Sequence, residues 1–521
     1  MTKWSENFLC SKRFRDSGTD GRREEMSAQT DKRSALESDF GRVIFSPACR
    51  RLHDKTQVFP LTTNDNIHSR LTHSLEVMNM GLSFSINLSQ NDDFIKATGL
   101  KENEILRSIG AILKTSCLVH DIGNPPFGHF GETVFQNYFT QLFSDLSYIL
   151  HGITETNYLT KGEKKSLGED DQRELNKKRR NYIEEQLKYF LSREDWKRDY
   201  TEFDGNAEGL RVLTRLQNAG DLKGLNLTYA TLASTIKYPN TGKSKSDHRI
   251  GNHKHGVFTT EQNVLDEISK ACKLGRQDQF FRHPLAFLME AADSICYLVM
   301  DIDDAITRKW VTFEEVNNLI YSSDQETKES ITNSYKGILA GNTSPRKRWM
   351  ALRTAIIGYL MQVAINNFVK NLSKIETGKY DYELIEDGCP LTELLKDFTK
   401  TRILSKRDIN LLETTGKSVI IGLMDAYIQL MFHPDRGYRD RAKALLSKST
   451  LITVIDEHIR DHKEAYTDKY GIDDVDSVFE RFDLADLTVE ERLRILRDYV
   501  AGMTDKFALN HYRELSGQRL P

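Results

Sequence analysis

Large apolar side chains return at helical intervals in three separate stretches of this chain. The first runs through Ile67, Leu71, Leu75, Met78 and Leu82, and the second through Ile105, Ile109, Ile112 and Val119. The third follows Pro284 with Leu285, Leu288, Ala292, Ile295, Val299, Ile302 and Ile306. A 3.6-residue repeat gathers such residues on one stripe of a helix and scatters them over both faces of a strand, so each stretch predicts a helix. Pro284 suits a first helical turn, while Gly123, Pro125 and Pro126 must close the second helix. Only 10 prolines and 31 glycines interrupt the whole chain, which favours long helices over a succession of short strands and turns. The predicted fold class is all-α: a helical core with helical insertions and a helical C-terminal region.

The length of 521 residues allows roughly three structural units or one large helical body with additions. With 73 basic against 76 acidic side chains, no global field draws the protein to nucleic acid or anionic lipid, so a polyanion must meet a local cluster. The most apolar stretches, near 285–300 and 418–432, are broken by charges, which excludes membrane spans. Six cysteines stand far apart, at 10, 49, 117, 272, 296 and 389, and read as reduced thiols of a cytoplasmic protein. Residues 1–40 are polar and charged enough to predict a surface arm. A helical core is expected over 41–310. It carries a charged, solvated insertion at about 156–200, in which Tyr182, Ile183, Leu187, Phe190 and Leu191 form the sparse apolar face. Residues 311–521 make the C-terminal helical region, with polar breaks near 341–346, 376–390 and 433–440. There is no glycine-rich phosphate loop, so chemistry must come from side chains.

Four residues stand out: His73, the adjacent His120 and Asp121, and the distant Asp293. Each lies inside or at the end of one of the three helical patterns, so helix packing can bring them together. Asp293 sits on a stretch apolar enough to be buried, where a carboxylate needs a cation or donors to offset its desolvation. Two imidazoles and two carboxylates form a mixed nitrogen and oxygen set for one divalent ion, and ligand type admits Mn²⁺, Mg²⁺, Fe²⁺ or Zn²⁺. A second His-Asp pair, His53-Asp54, lies amid Arg50, Arg51 and Lys55 as on a solvated basic face; an isolated pair of this kind is usually structural. The pair that ends an apolar helix is the candidate.

The order His73, His120-Asp121, Asp293 resembles the metal-dependent HD phosphohydrolase superfamily. Longer phrases narrow the likeness: Arg50-Arg51-Leu52 with Lys55-Thr56-Gln57-Val58-Phe59, Ser69 through Val77, His120 through Glu132, and Glu290 through Tyr297. Together they resemble the bacterial dGTPases over about residues 41–135 and 202–310, with a weaker echo at Gly502-Met503-Thr504-Asp505. The resemblance implies an HD-domain core and hydrolysis of dGTP to deoxyguanosine and inorganic tripolyphosphate. One divalent ion per subunit, Mg²⁺ or Mn²⁺, would be held by His73, His120, Asp121 and Asp293. It further implies that His129 activates the attacking water and Glu132 orients it, and that Lys237, Tyr238, Asn206 and Lys254 contact phosphate. Gln57 and Asp301 would hydrogen-bond the 3′-hydroxyl, and the ring of Tyr297 would crowd a 2′-hydroxyl. Asp293, Tyr297 and Asp301 stand four residues apart and so share one helix face.

The resemblance also implies a homo-oligomer, a hexamer, and a single-stranded DNA effector, for which Lys12, Arg13, Arg15, Arg22 and Arg23 are candidate contacts. Arg436, Arg439 and Arg441 are conceivable guanine contacts or surface charge. The rival readings are a broader dNTP triphosphohydrolase or monophosphate nucleotidase on the same scaffold, and a single-stranded DNA-binding regulatory protein with a vestigial metal site.

Overall fold

A computed structural model describes residues 3–14, 31–59, 61, 67–217, 224–241, 251, 254–276, 279–339, 343–462 and 478–519. They are helical almost throughout; the strands among them are two antiparallel two-residue segments, Gly275–Arg276 and Gln279–Phe280. Seven helices carry the argument: α1 (Arg70–Ser89), α2 (Gly110–Val119), α3 (Gly128–Ser144), α4 (Gly205–Arg211), α5 (Tyr229–Thr235), α6 (Pro284–Thr307) and α7 (Val489–Ala501). By their contacts the residues group into two units interleaved along the chain, one of 1–122 with 226–414 and the other of 123–225 with 415–521. This grouping cuts across the linear division into arm, core and C-terminal region, which remains a proposal about role.

In the first unit α1 packs against α2 and α6. Ser69 caps α1 by accepting the Thr72 N–H, which supplies one of the partners that a helix N-terminus lacks. Of the stripe named from sequence Ile67 is buried, ahead of the helix, but within it Leu75 is 40% exposed, and Leu71, Met78 and Leu82 are half-buried. The buried face instead carries His73, Ser74, Val77, Gly81, Phe84, Ser85 and Leu88. Small residues let α2 approach; a Cβ on Gly81 would lie 2.7 Å from Cys117 Sγ. A count of large apolar residues misses such a face, because close packing selects small side chains there. α6 is capped by His283, whose Nδ1 accepts the Leu285 N–H at 3.2 Å, and starts at Pro284 as expected; nearly every residue along it is buried.

The expected surface arm is corrected for residues 3–14. Trp4, Phe8 and Phe14 are each at most 2% exposed. Trp4 meets the edges of Phe8 and Phe94 at 5.3 and 5.6 Å and donates its indole N–H to Glu376 Oε1. Three aromatics in a mostly polar segment bury enough area to anchor it. Arg13, a candidate nucleic-acid contact, is buried and paired with Asp39 at 2.9 Å. Lys12 is exposed, and Arg15, Arg22 and Arg23 lie outside the described residues.

In the second unit α3 faces an aromatic core in which Phe135 stacks on Phe203 at 4.7 Å and Phe139, Phe143 and Phe190 surround Tyr200. The charged segment contains a 24-residue helix, Glu169–Ser192, which buries only Ile183, Leu187 and Phe190, the amphipathic element expected there. Arg439 is buried and forks onto Asp483 at 2.7 and 2.8 Å while donating to the carbonyls of His433 and Pro434. Most of its donors hold this loop, which is a structural role. All six cysteines are free thiols. No helix among the described residues is long and apolar enough to cross a membrane.

Candidate metal centre and active site

The first unit gathers four residues drawn from three helices. His73 lies one turn into α1, Asp293 midway along α6, and His120 with Asp121 immediately beyond α2. Because α2 ends at Val119, the chain turns there and both side chains of the pair can point inward. His73 Nε2 and His120 Nε2 stand 3.1 and 3.2 Å from Asp293 Oδ1, and His120 Nε2 is 3.6 Å from Asp121 Oδ2. One donor atom from each of His73, His120 and Asp121 lies within 4.8 Å of the others.

The geometry fits a divalent cation. The His120 Nδ1–H donates to the Cys117 carbonyl at 2.7 Å, which leaves the Nε2 lone pair facing the carboxylates. That Nε2 is buried and has no hydrogen-bond partner. A buried acceptor so placed is costly unless something binds it, and two imidazoles with two carboxylates are suited to a small divalent ion.

Two cations hold the carboxylates. Lys237, just beyond α5, places Nζ 2.6 Å from Asp293 Oδ2; Arg70, one turn ahead of His73 on α1, pairs with Asp121. Burial pushes the Asp293 carboxyl upward, but the Lys237 ammonium outweighs it and keeps the group far below the ordinary carboxylate range. Asp121 is treated alike, with burial opposed by the Arg70 guanidinium. Burial lowers Lys237, and Asp293 and Glu290 more than reverse that. The ammonium and the two carboxylates are therefore charged together in a half-buried site.

Farther along α6, Tyr297 is half-buried and Asp301 buried. Burial, and secondly Asp304, push the Asp301 carboxyl up to about 8, so it can donate a hydrogen bond near neutral pH. Burial, then Glu383, raise the Tyr297 phenol. Gln57 lies on the segment whose Thr56 bridges to Ser69 at the start of α1, and its Oε1 is buried without a hydrogen-bond partner. Tyr238 is raised by burial and lowered by the neighbouring charges of Lys237 and Lys254. The Lys254 side chain is exposed, and its carbonyl accepts from Asn240 at 2.9 Å.

The remaining named residues belong to the second unit. His129, in the first turn of α3, is largely exposed, and its Nδ1–H donates to Glu132 Oε2 at 2.9 Å. The other oxygen of Glu132 accepts the Gly205 N–H at 2.8 Å. Asn206, the next residue of α4, donates through both its backbone N–H and its Nδ2 to Asp204 Oδ1 at 2.8 and 2.7 Å.

Residues 475–514 match the model of a phosphohydrolase-associated domain. Over 92% of its length the chain is 30% identical to a deoxyguanosinetriphosphate triphosphohydrolase of Serratia proteamaculans, 93% of which is covered. The relative of the same name from Yersinia enterocolitica is also 30% identical over the same shares, and that from Salmonella typhimurium 29%. This chain belongs to the deoxyguanosinetriphosphate triphosphohydrolase family.

In this member of the family, sequence reasoning passed over several charged residues near the centre. Arg70 was legible, since it lies three residues before His73 and so shares its helix face. Glu290, one turn before Asp293, pairs with buried Arg282 at 2.6 Å. Glu383 lies on a segment with no helical pattern to mark it; burial, then Glu290, push its carboxyl up to about 7. His68 bridges Asp304 at 2.7 Å and Glu76 at 3.1 Å. Burial pushes it down, yet hydrogen bonds to Asp304 and Glu76 outweigh this and raise it to about 10. It is thus a cationic clasp between α1 and α6.

Proposed function

We propose that this protein is a metal-dependent dGTP triphosphohydrolase that releases deoxyguanosine and inorganic tripolyphosphate. The observation that carries this reading is the approach of His73, His120 and Lys237 to the two oxygens of one half-buried carboxylate, Asp293, in a chain of this family. Such a cluster combines a cation site with a fixed positive charge for a polyanionic substrate. A divalent ion held by His73, His120, Asp121 and Asp293, magnesium or manganese, would supply Lewis acidity at the α-phosphate.

The chain's own groups account for the rest. Lys237 and Tyr238 bind phosphate oxygens, with Lys254 and Asn206 as further contacts, since a triphosphate needs clustered donors. His129 takes a proton from the attacking water while Glu132 fixes the imidazole tautomer, an ordinary base-and-orienter pair. The new bond forms between water oxygen and the α-phosphorus, and the bond to the 5′-oxygen breaks, that oxygen leaving with a proton. Gln57 and protonated Asp301 hydrogen-bond the 3′-hydroxyl, and Tyr297 occupies the space a 2′-hydroxyl would need. The proposal extends to a cytoplasmic hexamer with a single-stranded DNA effector; of the basic residues named for that effector, Lys12 is the exposed one among the described residues.

The test is incubation with each of the four dNTPs and with GTP, with and without Mg²⁺ or Mn²⁺, following nucleoside and tripolyphosphate. Tripolyphosphate from dGTP in the presence of metal is expected. Equal turnover of all four dNTPs would replace the specificity with a broad one, a monophosphate product would make the protein a nucleotidase, and no hydrolysis with either metal would favour the regulatory reading.

A further inference from the structure

We infer that Gly205 and the buried Arg211–Asp498 ion pair are positioning residues that hold the Glu132 carboxylate, and through it the His129 imidazole. The inference rests on the reading of His129 and Glu132 as the base and its orienter. Both oxygens of Glu132 are engaged, Oε2 by His129 and Oε1 by the Gly205 N–H. The carboxylate plane is set by α4 as much as by α3, and a shift of α4 would turn the imidazole.

Two features fix α4. At its start, a Cβ on residue 205 would lie 2.1 Å from Asn124 Oδ1 and 2.8 Å from Glu132 Oε1, so any larger residue there must displace the Asn124 amide and the Glu132 carboxylate from this arrangement. At its end, Arg211 is fully buried and its Nε donates to Asp498 Oδ2 at 2.7 Å. The other oxygen of Asp498 accepts from Arg497 Nη2 at 2.9 Å. Asp498 lies on α7, within the matched phosphohydrolase-associated segment. A buried ion pair contributes little net stability against apolar residues of equal volume, whereas it does fix direction, because guanidinium and carboxylate meet in one geometry. The role assigned to α7 is therefore to orient α4 beneath the dyad.

Gly205→Ala and Asp498→Asn are made alone and in a Glu132→Gln background, with His129→Ala as the reference. Folding is checked by cooperative thermal unfolding. The expected result is a fall in kcat for dGTP of about 10- to 100-fold with KM within about threefold, and little further loss when either change is added to Glu132→Gln, because groups acting as one unit are non-additive. If Asp498→Asn does not fold, Arg211→Lys, which keeps the charge and loses the guanidinium geometry, takes its place, and wild-type kcat in that variant removes the ion pair from the inference. Wild-type kcat in Gly205→Ala, or losses that multiply in full with Glu132→Gln, overturns the inference. Activity retained in His129→Ala overturns the dyad reading itself, a separate failure.

Discussion

Lys237 Nζ lies 2.6 Å from Asp293 Oδ2, while the opposite oxygen of that carboxylate faces His73 and His120 at 3.1 and 3.2 Å. One carboxylate thus divides its charge between a permanent cation and the imidazoles that would hold a divalent one. Removing the ammonium removes a nearby repulsion on an incoming ion and leaves Asp293 more available to it. Lys237→Met is expected to bind Mn²⁺ about tenfold more tightly in titration calorimetry without nucleotide, and to lose about 100-fold in kcat/KM for dGTP. Weaker Mn²⁺ binding would contradict the charge-sharing arrangement.

His120 presents a buried Nε2 lone pair with its tautomer set by the Cys117 carbonyl. His120→Ala deletes that donor without adding bulk. Metal content by elemental analysis is expected to fall from about one ion per chain towards zero, and turnover by about a thousandfold. A full complement of metal in the variant would place the ion elsewhere.

Tyr297 stands one turn beyond Asp293 on α6 and is half-buried. In Tyr297→Ala the ratio of dGTP to GTP kcat/KM is expected to drop about tenfold or more, mostly through improved GTP turnover. An unchanged ratio would count against the ring as a sugar gate.

His283 couples stability to mild acid. Burial depresses it to about 4, against the ordinary 6.5. The folded state thus refuses a proton that the unfolded chain accepts: the stabilisation is complete above pH 6.5 and is lost as pH falls towards 4. The slope amounts to about 2 kcal/mol between pH 7 and pH 5. His283→Asn keeps an acceptor for the Leu285 N–H and a donor for the Phe8 carbonyl, which His283 Nε2 meets at 2.9 Å. Urea midpoints of the variant are expected to change less between pH 7 and pH 5 than those of the wild type; parallel profiles would place the acid sensitivity at another group.

Much of the fold is legible in the amino-acid sequence. The apolar repeats over 67–82, 105–119 and 285–306, the last opened by Pro284, predict helices where α1, α2 and α6 lie, and the sparse apolar face within 156–200 predicts the amphipathic element that Glu169–Ser192 supplies. The residues of the proposed metal set could be named because all four sit on or beside those helices. The N-terminal segment is not legible in this way: its polar composition conceals Trp4, Phe8 and Phe14, whose burial depends on partners such as Phe94 and Glu376 far along the chain.

Periodicity and capping are local, each set by residues within a few positions, and a linear reading recovers them. Ion-pair choice is not local. Nothing in the chain order says that Arg70 meets Asp121, that Lys237 meets Asp293 across 56 residues, or that Arg211 meets Asp498 across 287. A buried charge takes whichever opposite charge the packed helices bring within reach, since leaving it unpaired costs more than any local preference supplies. The sequence by itself determined which residues could serve at the site; tertiary packing decided which cation each buried carboxylate keeps.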